Sequence, residues 1–397
     1  MLSFFAIRTR IAVRTVYMNT IPQTRTASAS ACVRPTGSVE TTTSELLERM
    51  NNPSRAQHVA VIDPDGTYWT YAQICKRAEN LSKAISQSLQ QQTPCQPQSQ
   101  TKPSIASFHL PGSGYVVTML ASWLCGKRVV PLQTAHPVTE LQYFVQDANC
   151  CAVVYSSNEM QGCFDSSSKS SDKSRKQSHS YEALPELGTL VIDADAVFSS
   201  RSSVDMHSND ASLSANTGAL VLYTSGTTGR PKGALHTHYG LSCMISSLAH
   251  AWQYESHDKA LHFLPLHHLH GVLNNLLCVL WAGGCVEFLP SAAPHVIFKR
   301  LASEGEITSL HSSVPMIPAV KSEDDCLEKK FDRPITMLMG VPTIYHRLLQ
   351  HVQDHIPANS TIRGSSINQN EIDRLRTDIN KALPVLRNLR LHACGSR

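Results

Sequence analysis

The strongest constraint on the fold is a polar loop between two apolar patterns of different period. The run Ala219–Tyr223 is continuously apolar and of strand length, which is typical of a buried parallel strand. After the loop, apolar residues recur at helical spacing: Leu241, Met244, Ile245, Leu248 and Trp252. The sequence therefore predicts a strand, a loop and a helix in direct succession.

The loop itself, residues 223–233, reads Y-T-S-G-T-T-G-R-P-K-G. Glycines let the backbone approach a ligand closely, while hydroxyls, backbone N–H groups and an ammonium can surround a polyphosphate. By composition alone, a solvated surface loop is an equal alternative. The loop is not a Walker A motif, because Lys232 follows Pro231 and Gly233 stands where that motif has a hydroxyl residue. A phosphotransferase of the P-loop type is therefore disfavoured.

The complete string resembles the signature of the acyl-adenylate-forming (AMP-binding) superfamily, which includes acyl-CoA synthetases and peptide-synthetase adenylation domains. Other segments are similar to further elements of that superfamily: Thr70–Ile74, Gly126–Leu132, His136–Phe144, Leu264–Gly271 and Val341–Tyr345. The resemblance implies an α/β fold, the large N-terminal domain of the superfamily with two parallel-sheet subdomains. The alternation of predicted strands and helices along the chain indicates the same class.

The resemblance also implies a nucleotide site. The hydroxyl residues and Lys232 would hold the β- and γ-phosphates of ATP together with Mg²⁺, and two loop glycines would allow close approach. These phosphate-site residues are Thr224, Ser225, Gly226, Thr227, Thr228 and Gly229. Near the end of the sequence, Gly395 and Ser396 resemble the turn that opens the adenine site. Lys232 is the first predicted catalytic residue.

The predicted carboxylate site combines two segments. In L-P-L-H-H-L-H-G, His268 stands at the superfamily's histidine position and is the second predicted catalytic residue, with His270 as a further substrate contact. Val341 and Thr343 belong to the element similar to the acyl pocket, and Arg347 follows it. Three histidines in four residues also suggest zinc, but no Cys or acidic partner lies nearby at ligand spacing, so no metal ligand is assigned.

The reaction that the resemblance implies has two steps. A carboxylate attacks the α-phosphorus of ATP and releases pyrophosphate, and the thiol of coenzyme A then displaces AMP. Within the superfamily, the chain most resembles the mitochondrial malonyl-CoA synthetases, so malonate or methylmalonate is the predicted acid. The second carboxylate of such an acid needs a cation in the acyl pocket, and Arg347 is the candidate. An equal alternative is that Arg347 is a surface arginine on an amphipathic helix. Two further readings stay open: a medium-chain fatty acyl-CoA synthetase and a truncated product without catalytic activity.

Composition excludes several other classes. The chain has 397 residues, 42% of them hydrophobic and 17% charged, with a formal net charge of +4. It has no long basic block that would indicate nucleic-acid binding. Its 12 cysteines form no C-x-x-C pair, which favours free thiols in a reducing compartment. No uninterrupted apolar run is long enough to predict a membrane span.

The amino terminus has the composition of a targeting sequence. Residues 1–39 contain no acidic residue, whereas arginine, serine and threonine are frequent and apolar residues are interleaved. Such a leader is typical of a mitochondrial transit peptide, here predicted for residues 1–40, with the mature protein in the matrix. The remaining chain, 41–397, is predicted to be a partial adenylation domain with polar inserts near 90–102, 156–186 and 312–326.

The end of the sequence shapes one more expectation. Leu389–Arg397 resembles the strand and turn that begin the adenine site, and the superfamily's later motifs and mobile C-terminal domain do not follow. The resemblance therefore covers about two-thirds of a superfamily member, and the chain as given is expected to be weakly active or inactive.

Overall fold

The computed structural model describes residues 45–91, 103–159, 187, 189–199, 216–224, 229–313, 333–355 and 369–393. Within these ranges the chain forms two compact units. The larger unit spans Thr41–Pro290, and the smaller unit contains Ser291–Arg397. The predicted leader, most of the three predicted inserts and six predicted site residues lie outside the described ranges. Those site residues are Ser225, Gly226, Thr227, Thr228, Gly395 and Ser396.

Strands and helices alternate along the larger unit, as predicted. Its strands are β1 (Val59–Ile62), β2 (Tyr68–Thr70), β3 (Ser104–Phe108), β4 (Arg128–Pro131), β5 (Cys150–Tyr155), β6 (Leu190–Asp193), β7 (Gly218–Thr224), β8 (Lys232–Thr237), β9 (Lys259–His262) and β10 (Cys285–Phe288). Its α-helices are α1 (Glu45–Met50), α2 (Tyr71–Gln91), α3 (Ser113–Leu124), α4 (Val138–Asp147), α5 (Ala194–Ser199), α6 (His238–Ala251) and α7 (Cys278–Ala282).

The first sheet of the larger unit has the order β6-β5-β3-β4-β7-β8 and is parallel except for β8. Its central strands are buried because helices cover parallel sheets, which explains their continuous apolar runs. Helix α4 packs Leu141, Phe144 and Val145 against Phe108 and Val221 of the sheet. Burying Phe144, which is 4% exposed, contributes about 2–3 kcal/mol and fixes α4 beside the end of β7.

The second sheet of the larger unit has the order β9-β10-β1-β2. Strands β9, β10 and β1 are parallel, and β2 pairs antiparallel with β1 after a turn at Asp65-Gly66. Gly66 has φ +91°, which an L side chain rarely adopts. Lys259 and Glu287 on neighbouring strands form a buried ion pair at 2.8 Å. The expectation of an α/β fold with largely parallel sheets is confirmed.

The smaller unit has the same strand-and-helix alternation. It contains α8 (Pro294–Ser313), β11 (Met337–Gly340), α9 (Pro342–His355), α10 (Gln369–Asn388) and β12 (Arg390–Ala393). Strands β11 and β12 are parallel. Glu304 on α8 accepts a hydrogen bond from the Ile335 backbone N–H at 3.1 Å and pairs with Arg300, so it fixes the approach to β11.

A π-helix occupies His270–Leu277 and leads directly into α7. Buried side chains bond the backbone around this segment: Tyr254 donates to the Asn274 carbonyl at 2.7 Å, and Asn275 donates to the Leu261 carbonyl at 3.2 Å. Among the described residues, no helix combines the length and apolar character that crossing a membrane requires.

Candidate functional site

The predicted phosphate loop joins two antiparallel strands. Strand β7 ends at Thr224, β8 begins at Lys232, and these two residues are cross-strand partners. The loop was predicted to lead directly into a helix, which is wrong: α6 begins only at His238, after β8. Strand β8 escaped the sequence pattern because it lies at the sheet edge with Lys232–Leu235 all exposed, so no apolar alternation marks it. The hairpin places the exposed Lys232 ammonium and Thr224 hydroxyl at the same mouth of the loop.

Two glycines of this hairpin serve different purposes. Gly229 has φ +132°, and no atom of the described residues lies within 4 Å of where a Cβ would stand, so glycine suits this position through its backbone conformation. A Cβ on Gly233 would come within 3.1 Å of Val221 and 3.3 Å of the Tyr223 ring. Glycine there lets β8 lie close to β7.

Helix α4 contacts both ends of the loop. The Tyr223 hydroxyl donates to Asp147 Oδ2 at 2.7 Å, and the Tyr143 hydroxyl donates to the Pro231 carbonyl at 2.8 Å. Burial, and then the Asp147 contact, raise the pKa of Tyr223 far above its ordinary value, so the phenol stays protonated. The sequence analysis missed these α4 residues, because a contact across 76 or 88 positions leaves no local pattern.

The histidine segment follows β9 and is held by a buried imidazole. His262 is fully buried, and its Nε2–H donates to the Gly271 carbonyl at 3.0 Å. Burial lowers the pKa of His262 to about 4, so this ring is neutral at pH 7. A Cβ on Gly271 would overlap the Pro265 carbonyl oxygen, so the turn Pro265–Gly271 closes on itself without room for a side chain.

The predicted substrate histidines lie on this turn. His268 is exposed, with its ring centroid 4.2 Å from that of His267, and His267 lies 5.6 Å from His136. Desolvation, followed by repulsion from His268 and His136, lowers the pKa of His267 to about 4. Desolvation and His136 also lower the pKa of His268. At pH 7 these two rings are therefore neutral and can exchange hydrogen bonds with a carboxylate without adding charge.

His270 is half-buried at the first position of the π-helix. Burial lowers its pKa, and a hydrogen bond with Asn274 offsets part of that effect. Over the described part of the chain, no group of three or more His, Cys, Asp or Glu side chains is placed to hold a metal ion.

The remaining predicted residues lie in the smaller unit, where β11 leads into α9. The Val341 carbonyl accepts the Ile344 N–H at 2.9 Å in the first turn, and the Tyr345 hydroxyl donates back to the Leu338 carbonyl at 3.0 Å. Thr343 is exposed, as is Arg347 on the outer face of α9, while Leu348 and Val352 are buried. Helix α9 is therefore amphipathic, and Arg347 lies on its exposed face.

A family model described as AMP-binding enzyme matches residues 48–330, which is most of the chain. The chain belongs to this family. A mitochondrial malonate–CoA ligase from Xenopus laevis is 31% identical over 343 residues, covering 84% of this chain and 50% of the relative. A probable CoA ligase from Humulus lupulus is 32% identical over 240 residues, covering 60% of this chain and 36% of the relative.

Solved structures have the same fold. ATP-bound MatB from Rhodopseudomonas palustris superposes with a TM-score of 0.54 at 24% identity, covering 77% of this chain and 51% of MatB. A malonyl-CoA ligase in a ternary product complex with methylmalonyl-CoA and AMP gives a TM-score of 0.54 at 21% identity, covering 89% of this chain and 61% of the ligase. The chain spans between about a third and a half of the length of the first curated relatives it matches.

Proposed function

We propose that this protein contributes the nucleotide-binding and acid-binding regions of an ATP-dependent acid–CoA ligase whose acid is malonate or methylmalonate. The observation that carries the proposal is the β7–β8 hairpin, which presents Lys232 opposite Thr224 at the mouth of a glycine- and hydroxyl-rich loop. The family match and the malonate–CoA ligases among the relatives support the same reaction.

In the first step, a carboxylate oxygen forms a bond to the α-phosphorus of ATP, and pyrophosphate leaves. Both reactants are anions, so positioning and charge neutralisation dominate catalysis. Lys232 is assigned to the β- and γ-phosphates, which leave as pyrophosphate, with Thr224, Ser225, Thr227 and Thr228 as hydroxyl ligands and Gly226 and Gly229 allowing close approach. Mg²⁺ would neutralise the phosphates when bound, and the exposed Thr224 hydroxyl suits a cation that binds mainly to substrate phosphates. Gly395 and Ser396 are assigned to the adenine.

The acid is assigned to the histidine segment. A neutral His268 can donate one hydrogen bond to the reacting carboxylate without holding it so strongly that attack is impeded. His270 would border the same region. In the second step, the coenzyme A thiol forms a thioester with the acyl carbon, and AMP leaves with the bonding electrons.

Specificity for a dicarboxylate is assigned to Arg347. A second carboxylate in an acyl pocket needs a paired cation, because burying it alone is costly. Arginine supplies two parallel donors, and Arg347 follows the Val341–Tyr345 element that resembles the acyl pocket. Val341 and Thr343 would line the pocket at the start of the same helix.

Exchange of labelled pyrophosphate into ATP tests the first step and the acid together. In a chain extended to the full length of the relatives, we expect exchange with malonate and methylmalonate and little with butyrate or octanoate. Arg347→Ala should remove that preference, whereas the control Arg376→Ala, on another helix of the same unit, should keep it. Exchange supported best by octanoate would establish the medium-chain alternative. ATP binding without exchange for any acid would indicate a non-catalytic nucleotide-binding protein.

The mitochondrial matrix is the proposed location. The acid-free, arginine-rich residues 1–39 support it, together with the mitochondrial malonate–CoA ligase among the relatives. Residues 1–45 fused to a fluorescent reporter should carry it into mitochondria. A diffuse cytosolic signal would contradict the assignment.

A further inference from the structure

The β7–β8 hairpin depends on contacts other than the backbone hydrogen bonds between its two strands. Strand β8 lies at the edge of the sheet and pairs only with β7 among the described strands. Its first four residues are exposed, and Leu235 is 53% exposed. An edge strand with little buried side-chain surface has low local stability, so something else must fix the position of Lys232.

Helix α4 supplies two such contacts, one for each base of the loop. On the β7 side, the Tyr223 hydroxyl donates to Asp147 Oδ2 at 2.7 Å and approaches the Phe144 carbonyl at 3.4 Å. On the β8 side, the Tyr143 hydroxyl donates to the Pro231 carbonyl at 2.8 Å. A single rigid helix therefore holds the residues that enter and leave the loop.

Aromatic packing makes the contact between α4 and the hairpin rigid. The Phe144 and Tyr223 ring centroids are 4.3 Å apart, and Tyr143 meets Tyr223 edge-on at 6.1 Å. The Arg230 guanidinium lies 5.5 Å from the Tyr143 ring centroid, within the range of a cation–π contact. Because Phe144 is buried in the core, the phenol of Tyr143 is presented from a fixed base.

The Tyr143 contact acts on the peptide that contains the Lys232 nitrogen. The peptide group is planar, so the Pro231 carbonyl oxygen and the Lys232 N and Cα atoms lie in one plane. The proline ring already restricts φ of Pro231, and its ψ is the rotation that still turns this plane. A hydrogen bond to the carbonyl oxygen fixes that rotation and with it the direction in which Lys232 leaves the backbone.

We propose that Tyr143 is a positioning residue for Lys232, and that Asp147, through Tyr223, fixes the opposite base of the loop. The inference rests on the proposed function in one respect: Lys232 must contact the phosphates of ATP. Tyr143 itself touches no substrate. It fixes the position of Lys232 before ATP binds, so that ATP binding and the reaction do not have to supply the conformational entropy lost in fixing it.

The test is Tyr143→Phe, which removes one hydroxyl and keeps the ring packing. Pyrophosphate exchange should fall about tenfold, the size expected for one hydrogen bond, while the melting temperature stays close to the parent value. Introduced into a Lys232→Ala background, the same change should alter exchange less than about twofold, because its effect passes through the lysine. Tyr68→Phe, on the exposed face of β2, is the control and should leave exchange unchanged.

Equal losses in both backgrounds would overturn the proposal. A second measurement needs no nucleotide: hydrogen exchange of the Gly233–Leu235 amides should accelerate in Tyr143→Phe and in Asp147→Ala, which removes the acceptor, but not in Tyr68→Phe. Unchanged protection would show that α4 does not hold the hairpin. If the parent protein exchanges no pyrophosphate, the proposed function fails, and amide protection still decides whether α4 fixes the loop.

Discussion

The phosphate hairpin and the histidine segment each contain a glycine that their backbone path requires, yet they are stabilised in opposite ways. The hairpin lies at an exposed sheet edge and is linked to α4 by two phenol hydroxyls: Tyr143 of α4 donates to Pro231, and Tyr223 of β7 donates to Asp147. The histidine segment closes on a fully buried imidazole, whose Nε2–H donates to the Gly271 carbonyl. Polar groups that must meet a charged ligand can remain exposed and adjustable, whereas the turn that presents His268 is fixed by the core beneath it.

The largest expected effect separates function from stability in the hairpin. Lys232→Ala should lower pyrophosphate exchange about 10²–10³-fold, because a charge-assisted contact to the departing β- and γ-phosphates is lost. Thr228→Ala should act in the same direction. The melting temperature should barely change, since Lys232 is exposed. Lys76→Ala on α2 is the matched control, and full exchange by Lys232→Ala would remove the loop from phosphate binding.

The next effect concerns acid stability and belongs to the histidine segment. The pKa of His262 is about 4 in the folded protein and near 6.5 when unfolded, so the unfolded chain binds the proton more readily. Its neutral ring supports folding above about pH 6.5, and that support is lost as the pH falls toward 4, by up to about 3 kcal/mol. Burial also lowers the pKa of His238 to about 4, with the same sign.

Denaturant unfolding between pH 7.5 and 4.5 measures this loss. His262→Gln keeps a donor for the Gly271 carbonyl but cannot titrate, so its stability should fall less steeply with acid than that of the parent. Parallel plots of unfolding free energy against pH for the two proteins would show that His262 does not cause the loss of stability in acid.

The smallest effects distinguish the two glycines. Gly271→Ala places a methyl group against the Pro265 carbonyl and should lower the free energy of unfolding by about 1–3 kcal/mol, the usual cost of overpacking. The methyl group of Gly229→Ala meets no atom of the described residues, and the change should cost only about 1 kcal/mol, from the positive φ. Thermal unfolding of both variants gives the order. A more harmful Gly229→Ala would reverse the comparison.

Local sequence was sufficient for most of the framework. The apolar run Ala219–Tyr223 predicted a central strand, and β7 contains it. The period-3.6 pattern beyond it predicted α6. The string at 223–233 predicted the family, which the match over 48–330 confirms. These features depend on residues within one element or one turn, so a linear pattern reports them. The transit peptide, the inserts, and the roles of Arg347 and the loop hydroxyls stay predictions.

The sequence alone determined the family, the α/β class and the residues available for phosphate chemistry. The tertiary structure decided how they are presented. It pairs Lys232 with Thr224 across a ladder, brings Tyr143 to Pro231 across 88 positions and buries His262 until its pKa falls. The reason is physical: strand pairing at a polar edge, a distant hydroxyl and the loss of solvent around an imidazole depend on what packs together in space, and none of these has a period along the chain.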